Sequence, residues 1–74
     1  MRSIEVFKTN VKGRRTASFL VNEMKEVFPG HKVSIDLDDS DKVLRVESSK
    51  GEIKASAIIN LLEKRNFRCE VLND

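Results

Sequence analysis

The residues best placed to do chemistry form a basic loop, Lys12-Gly13-Arg14-Arg15, directly before a helical pattern that begins at Thr16. The first N–H groups of a helix have no partner inside it, and they attract anions, especially beside Arg and Lys. Thr16 is of a type that caps such helix starts. The pattern predicts a site for an anion or an acidic partner. The alternative is an ordinary solvated loop, because short Lys/Arg runs are common on surfaces.

Cys69 and His31, the single cysteine and the single histidine, are the other residues whose types suit a ligand, namely a transition metal. Cys69 alternates with Phe67 and Val71 on one face of a strand-like segment, which predicts a small buried side chain. His31 begins another strand, at the end of the predicted sheet opposite the basic loop, where a solvated turn residue is the default. We therefore expect the two residues to lie too far apart to share an ion.

An acidic segment in the middle of the chain raises the possibility of a calcium site. Asp36, Asp38, Ser40 and Glu47 match four ligand positions of an EF-hand loop. Asp41, however, occupies the position that requires Gly, and the flanking residues alternate as strands rather than following a helical period. We therefore expect a solvated hairpin turn, in which Asp side chains bond to their own backbone.

These residues must be positioned by six elements in the order strand, helix, strand, strand, helix, strand. Alternation predicts strands near residues 3–8, 33–38, 43–47 and 67–71, and helical spacing predicts helices over 16–27 and 53–62. Asn66 is expected to end the second helix in a left-handed conformation. A four-stranded antiparallel sheet with two helices on one face, the α+β ferredoxin-like fold, fits this order. The predicted core comprises Leu20, Met24, Val33, Ile35, Leu44, Val46, Ile58 and Leu62.

Length and composition narrow the class of protein. The 74 residues predict a single domain over residues 1–74. Net charge is only +2 and the chain has no Trp or Tyr, so a basic groove lined with stacking aromatic side chains is not predicted. This composition argues against nucleic acid as a partner. No uncharged stretch approaches the length of a membrane span, and a lone cysteine without an export signal predicts a cytoplasmic protein.

The chain resembles the heavy-metal-associated domain family in length, topology and two turns. Residues 26–30 (EVFPG) resemble the turn that ends the family's first helix, and residues 64–72 resemble its step into the last strand. With strands and helix in register, residues 10–16 fall on the family's metal loop. Val11 then takes the place of the Met that plugs the core.

The resemblance implies a domain without the family's paired cysteines. Gly13 and Thr16 fall on the two cysteine positions, or Arg14 and Ala17 if the register shifts by one residue. Thiolates bind Cu(I) or Zn(II) as soft, charged donors, whereas Gly offers no side chain and Arg repels a cation. Phe67 matches the family residue beside the metal loop, so we expect it next to the basic loop.

An enzymatic function is not predicted. Acylphosphatases share the topology and bind phosphate in the same loop, but Val11-Lys12-Gly13 followed by Arg15 is only faintly similar to their loop. The chain is shorter than that family and shows no catalytic triad or paired carboxylates. We predict a non-catalytic binding module, without metal or cofactor, that recognises an acidic protein or a small anion through Lys12, Gly13, Arg14, Arg15, Thr16 and Phe67. The alternative is a metallochaperone-like protein that uses Cys69 or a site between two chains.

Overall fold

The computed structural model describes residues 3–72, which form the six predicted elements in the predicted order. The strands are β1 (Ser3–Thr9), β2 (His31–Asp36), β3 (Val43–Ser48) and β4 (Cys69–Val71), and the helices are α1 (Arg14–Val27) and α2 (Ala55–Lys64). The strands form one antiparallel sheet in the order β2-β3-β1-β4, and the core lies between one face of this sheet and the helices. This architecture confirms the α+β ferredoxin-like fold.

The central strand β1 shows which face of the sheet is buried. Phe7 is opposite Leu44 of β3, and all three of Phe7, Leu44 and Val46 are buried beneath the helices. Ile4 points to the other face, where no helix covers it, and is exposed. The alternating side chains of β1 therefore place Phe7 on the core face of the sheet and Ile4 on its open face.

Seven of the eight predicted core residues are buried, and Ile35 is the exception. Ile35 is only half-buried because β2 lies at the edge of the sheet and has a neighbouring strand on one side alone. The core also contains Val11 and Cys69, whose burial was predicted separately, and three residues that the core prediction omitted: Phe7, Ala17 and Ile53.

The ends of α1 differ from the prediction in two places. The helix begins at Arg14, two residues before the predicted start at Thr16. The helical spacing of Ala17, Leu20, Met24 and Val27 predicts all four residues on the buried face. Val27 is exposed, because the buried positions Ala17, Leu20 and Met24 continue one turn further to Phe28, which packs against the core. The end of α2 is as predicted, since Asn66 has a φ of 66°.

Candidate functional site

The basic loop is fixed to the fold by the two residues that precede it. Thr9 is buried, and its Oγ1 donates a hydrogen bond to the carbonyl of Lys42 (2.6 Å) and accepts one from the N–H of Val11 (3.3 Å). The Val11 side chain is fully buried in the core. The chain therefore leaves β1 along a defined path, and the loop begins from a rigid base. The burial of Val11 is what its comparison with the plugging Met implied.

The charged side chains of the loop point into solvent. Lys12, Arg14 and Arg15 are exposed, and none of their side chains forms a hydrogen bond or an ion pair with another residue in the range 3–72. Arg68 lies at the same end of the sheet, because its backbone N–H donates to Oδ1 of Asn10 (2.8 Å). Exposed positive charge without an ion pair inside residues 3–72 is thus concentrated in the loop that follows β1, whereas Arg68 shares its surroundings with the carboxylates of Glu63 and Glu70.

The start of α1 adds to this positive charge. Gly13 occupies the N-cap position with a φ of 84°, a conformation that favours glycine, and no side chain caps the helix. No acidic residue lies in the first turn, while the N–H of Ala17 bonds to the carbonyl of Gly13 (3.1 Å). The prediction that Thr16 caps the helix is wrong, since the helix begins two residues earlier and Thr16 lies half-buried within its first turn.

Phe67 lies beside the loop, as the resemblance implied. It lines an open, mainly apolar groove of about 370 Å³ between α1 and the segment that follows α2, together with Arg15, Phe19 and Leu20. Phe19 is 62% exposed and was not predicted to belong to the site. Its position off the buried stripe of α1 was the available signal, because a large apolar residue on a polar helix face contributes nothing to the core.

The acidic segment lies at the same end of the sheet, as the topology predicts, but three of its four Asp carboxylates are engaged, those of Asp36, Asp39 and Asp41. Oδ1 of Asp36 accepts a hydrogen bond from the N–H of Asp38 (3.0 Å), and Oδ1 of Asp39 accepts one from the N–H of Asp41 (2.8 Å). Asp41 also pairs with Lys8 across 3.7 Å. These bonds stabilise the hairpin turn that the sequence predicts.

The calcium interpretation of this segment requires ligands that the fold separates. Glu47, its last predicted ligand, lies within β3 and pairs with Arg45 at 3.1 Å, whereas Asp36 ends β2. No group of three or more His, Cys, Asp or Glu residues within 3–72 is arranged to hold a metal ion.

Cys69 and His31 lie at opposite ends of the sheet, as predicted. Cys69 is opposite Thr9 at the start of β4, and His31 is opposite Ser48 at the start of β2. Burial, together with the nearby carboxylates of Glu63 and Glu70, raises the pKa of the Cys69 thiol from 9.0 to about 12. The thiolate is the form that binds metals, so a buried, protonated thiol is a poor ligand at neutral pH.

Comparison with other proteins gives no functional assignment. A scan of family models and searches of curated proteins and of solved structures returned no match to this chain. Among the described residues, no helix has the length and apolar character needed to cross a membrane.

Proposed function

We propose that this protein is a non-catalytic binding module that recognises an anionic partner through residues 12–16, with Phe67 beside them. The observation that carries the proposal is the set of three exposed cations, Lys12, Arg14 and Arg15, without ion pairs inside residues 3–72. They surround a helix start that no side chain caps. An acidic protein surface or a small anion has the chemistry to satisfy both features.

The strength of such a site follows from its exposure. Each solvent-exposed ion pair contributes roughly 0.2–1 kcal/mol, and a charge near a helix terminus adds roughly 0.3–1 kcal/mol. Three such pairs and one helix start amount to about 4 kcal/mol at most, which corresponds to a Kd of about 1 mM for a small anion. An acidic protein segment that also covers Phe67 gains apolar burial and binds more tightly. We therefore favour an acidic protein surface over a free anion.

The proposal includes a relation to the heavy-metal-associated family, in which the loop replaces a metal site. Topology supports this relation, as does the buried Val11 in the place of the family's core-plugging Met. A metal-handling function would need the thiol of Cys69, which is buried and carries a raised pKa. We place the protein in the cytoplasm, where a lone thiol remains reduced.

The direct test is a chemical-shift titration of the labelled protein with phosphate, with a nucleotide and with an acidic peptide that contains one aromatic residue. We expect shifts at residues 9–18 and 66–68, and weaker binding as salt rises, because exposed charges are screened beyond about 8 Å at physiological ionic strength. Replacing Arg14 and Arg15 with Ala should weaken this binding without unfolding the domain. The matched control replaces Lys25 and Lys50, two exposed basic residues outside the loop, and should preserve the binding.

Two results would count against the proposal. Shifts that cluster elsewhere, or no shifts with any of the three probes, would leave the basic loop as ordinary surface. A native mass spectrum with one Cu(I) or Zn(II) ion per chain, lost on Cys69→Ser substitution, would favour the metallochaperone-like alternative instead.

A further inference from the structure

The two edges of the sheet are protected to different extents. An edge strand presents unpaired N–H and C=O groups, and proteins usually shield such edges by shortness, proline, bulges, covering segments or charged side chains that repel a like-charged strand. At one edge, β4 has only three residues. At the other edge, β2 has six residues, no proline and an unbroken register with β3. The edge of β2 is therefore open to pairing with another strand.

The alternating direction of the backbone hydrogen bonds along each strand shows which N–H and C=O groups of β2 face outward from the sheet. The N–H of Leu72 donates to the carbonyl of Val6 (2.9 Å), so the backbone groups of Val6 point toward β4. The backbone N–H and C=O groups of successive residues in a strand point to opposite sides. With the observed registers, this alternation can be followed from β1 through β3 to β2. The N–H and C=O groups of Val33 and Ile35 therefore point away from β3, out of the sheet.

A hydrogen bond at the N-terminal end of β2 gives the same direction for these backbone groups. The N–H of His31, two residues before Val33, bonds to the carbonyl of Phe28 (3.2 Å), outside the sheet. Because His31, Val33 and Ile35 are two residues apart, their backbone groups point to the same side, and the N–H of His31 points away from β3. Within the strand, the groups of Val33 and Ile35 remain available to another chain.

An open groove runs between this edge and α1. Its volume is about 550 Å³, and Val33 and Ile35 form its strand side. On the helix side its middle is lined by the short side chains of Ala17, Ser18 and Val21, which leave room for a second layer of side chains, while Arg14 lines it at the N-terminal end of α1. Ile35 and Val21 are only half-buried, so apolar surface remains for a partner to cover.

We propose that β2 pairs with β2 of a second copy of this chain, antiparallel about a two-fold axis at Ser34, to form one continuous eight-stranded sheet. Val33 of each copy lies opposite Ile35 of the other, and these residues exchange backbone hydrogen bonds and cover both grooves. On the open face, Lys32 of each copy lies opposite Asp36 of the other. The strand is thus complementary to itself in backbone, apolar side chains and charge.

The charge pattern selects this register over its neighbours. Outward-facing groups pair only with outward-facing groups, so the next allowed registers move the two-fold axis to Val33 or to Ile35. The axis at Val33 places Lys32 opposite Ser34 and leaves both charges unpaired. The axis at Ile35 places Ser34 opposite Asp36, and Lys32 opposite Asp38, which lies in the turn beyond the end of β2. The axis at Ser34 matches Lys32 with Asp36 twice, in the closely spaced pairs where cross-strand side chains interact best.

Both charges are available for this pairing. The side chain of Lys32 forms no ion pair with another residue within 3–72, and its cross-strand neighbour Glu47 is engaged by Arg45 at 3.1 Å. Asp36 uses Oδ1 for the N–H of Asp38. A carboxylate has further acceptor capacity for a lysine from a second chain.

The experiment is sedimentation analysis of the full chain at about 10 µM to 1 mM, a range that covers weak association. We expect a reversible monomer–dimer equilibrium. Lys32→Asp or Asp36→Lys alone places like charges opposite each other twice and should weaken dimerisation by about tenfold or more. The double variant with both substitutions restores opposite charges and should restore the dimer. Amide spectra establish that each variant folds, and Lys25→Asp serves as the charge-matched control.

A wild-type chain that stays monomeric up to 1 mM would overturn the proposal. Dimerisation that the two single substitutions leave unchanged, or that the double variant does not restore, would do the same, because the contact would then lie elsewhere. The anion-binding proposal is independent of this result, since the chemical-shift titration that tests it works equally on a monomer.

Discussion

The basic loop and the acidic turn lie at the same end of the sheet, yet they use their charges differently. In the acidic turn, Asp36 and Asp39 accept backbone hydrogen bonds and Asp41 pairs with Lys8. In the basic loop, the side chains of Arg14 and Arg15 have no such partners within residues 3–72. The difference separates charge that stabilises the fold from charge that remains available for recognition.

Side-chain length explains part of this difference. Asp is short enough to bond its own backbone two residues on, so an Asp-rich segment closes a turn by itself. Arg and Lys are long and carry their charge away from the backbone, so a basic loop gains little from local contacts. Sequence composition alone therefore indicates which of the two segments is held by its own side chains.

The comparison requires that the basic loop and the acidic turn be supported by the same packed core. Truncation of a core side chain tests this requirement and should have the largest effect on stability. Leu62→Ala should lower the free energy of unfolding by about 2–5 kcal/mol, because the Leu62 side chain of α2 is fully buried. Thermal or denaturant melts measure the change. Phe19→Ala, at an exposed helix position, is the control and should change stability far less. Equal effects of the two substitutions would mean that the assigned core is wrong.

The second prediction concerns the bond that joins the two segments. Thr9→Val keeps the shape of a buried side chain but removes the hydroxyl that bonds the carbonyl of Lys42 and the N–H of Val11. Leaving buried polar groups unsatisfied costs about 1–3 kcal/mol each. Denaturant melts should show this loss, whereas Thr16→Val, a half-buried threonine in α1, should be nearly neutral. If Thr9→Val were neutral too, the two segments would not depend on a shared anchor.

The third prediction concerns the thiol of Cys69, which lies opposite Thr9 and next to acidic residues. Its pKa in the folded protein is about 12, against an ordinary value of 9.0. Because the folded-state pKa is raised, the thiol's contribution to stability is present below pH 9 and is lost as pH rises toward 12. Relative to a Cys69→Ala variant, the wild type should lose roughly 1 kcal/mol per pH unit above pH 9. A stability difference that stays constant up to pH 10.5 would contradict the burial of the thiol.

The smallest expected effects separate the two charged segments directly. Asp39→Ala removes the acceptor for the N–H of Asp41 and should cost about 0.5–1.5 kcal/mol. Arg15→Ala removes an exposed charge that has no ion pair among residues 3–72 and should stay within about 0.5 kcal/mol of the wild type. Parallel denaturant melts at low salt measure both. The reverse order, with Arg15 the more costly residue, would show that the basic loop stabilises the fold.

Local patterns were sufficient to predict the element order and the conformation of Asn66. Alternating and helical periods depend on which residues face the core, and a left-handed helix end depends on one residue type. The exposure of Ile35 could not be predicted in this way, because it depends on the position of β2 at the sheet edge. The proximity of the basic loop to the acidic turn followed from topology, whereas the hydrogen bonds of Thr9 required the three-dimensional structure.

The anchor formed by Thr9 and Val11 has a consequence for how this domain can evolve. Thr9 and Val11 secure the path of the chain, so the exposed positions 12, 14 and 15 can change without disturbing the core. Gly13, with its φ of 84°, is the constrained position among them. We expect a library randomised at positions 12, 14 and 15 to remain largely folded, while the same diversity at 9, 11 and 13 is mostly lost. The fold thus offers a surface whose specificity can be exchanged independently of its stability.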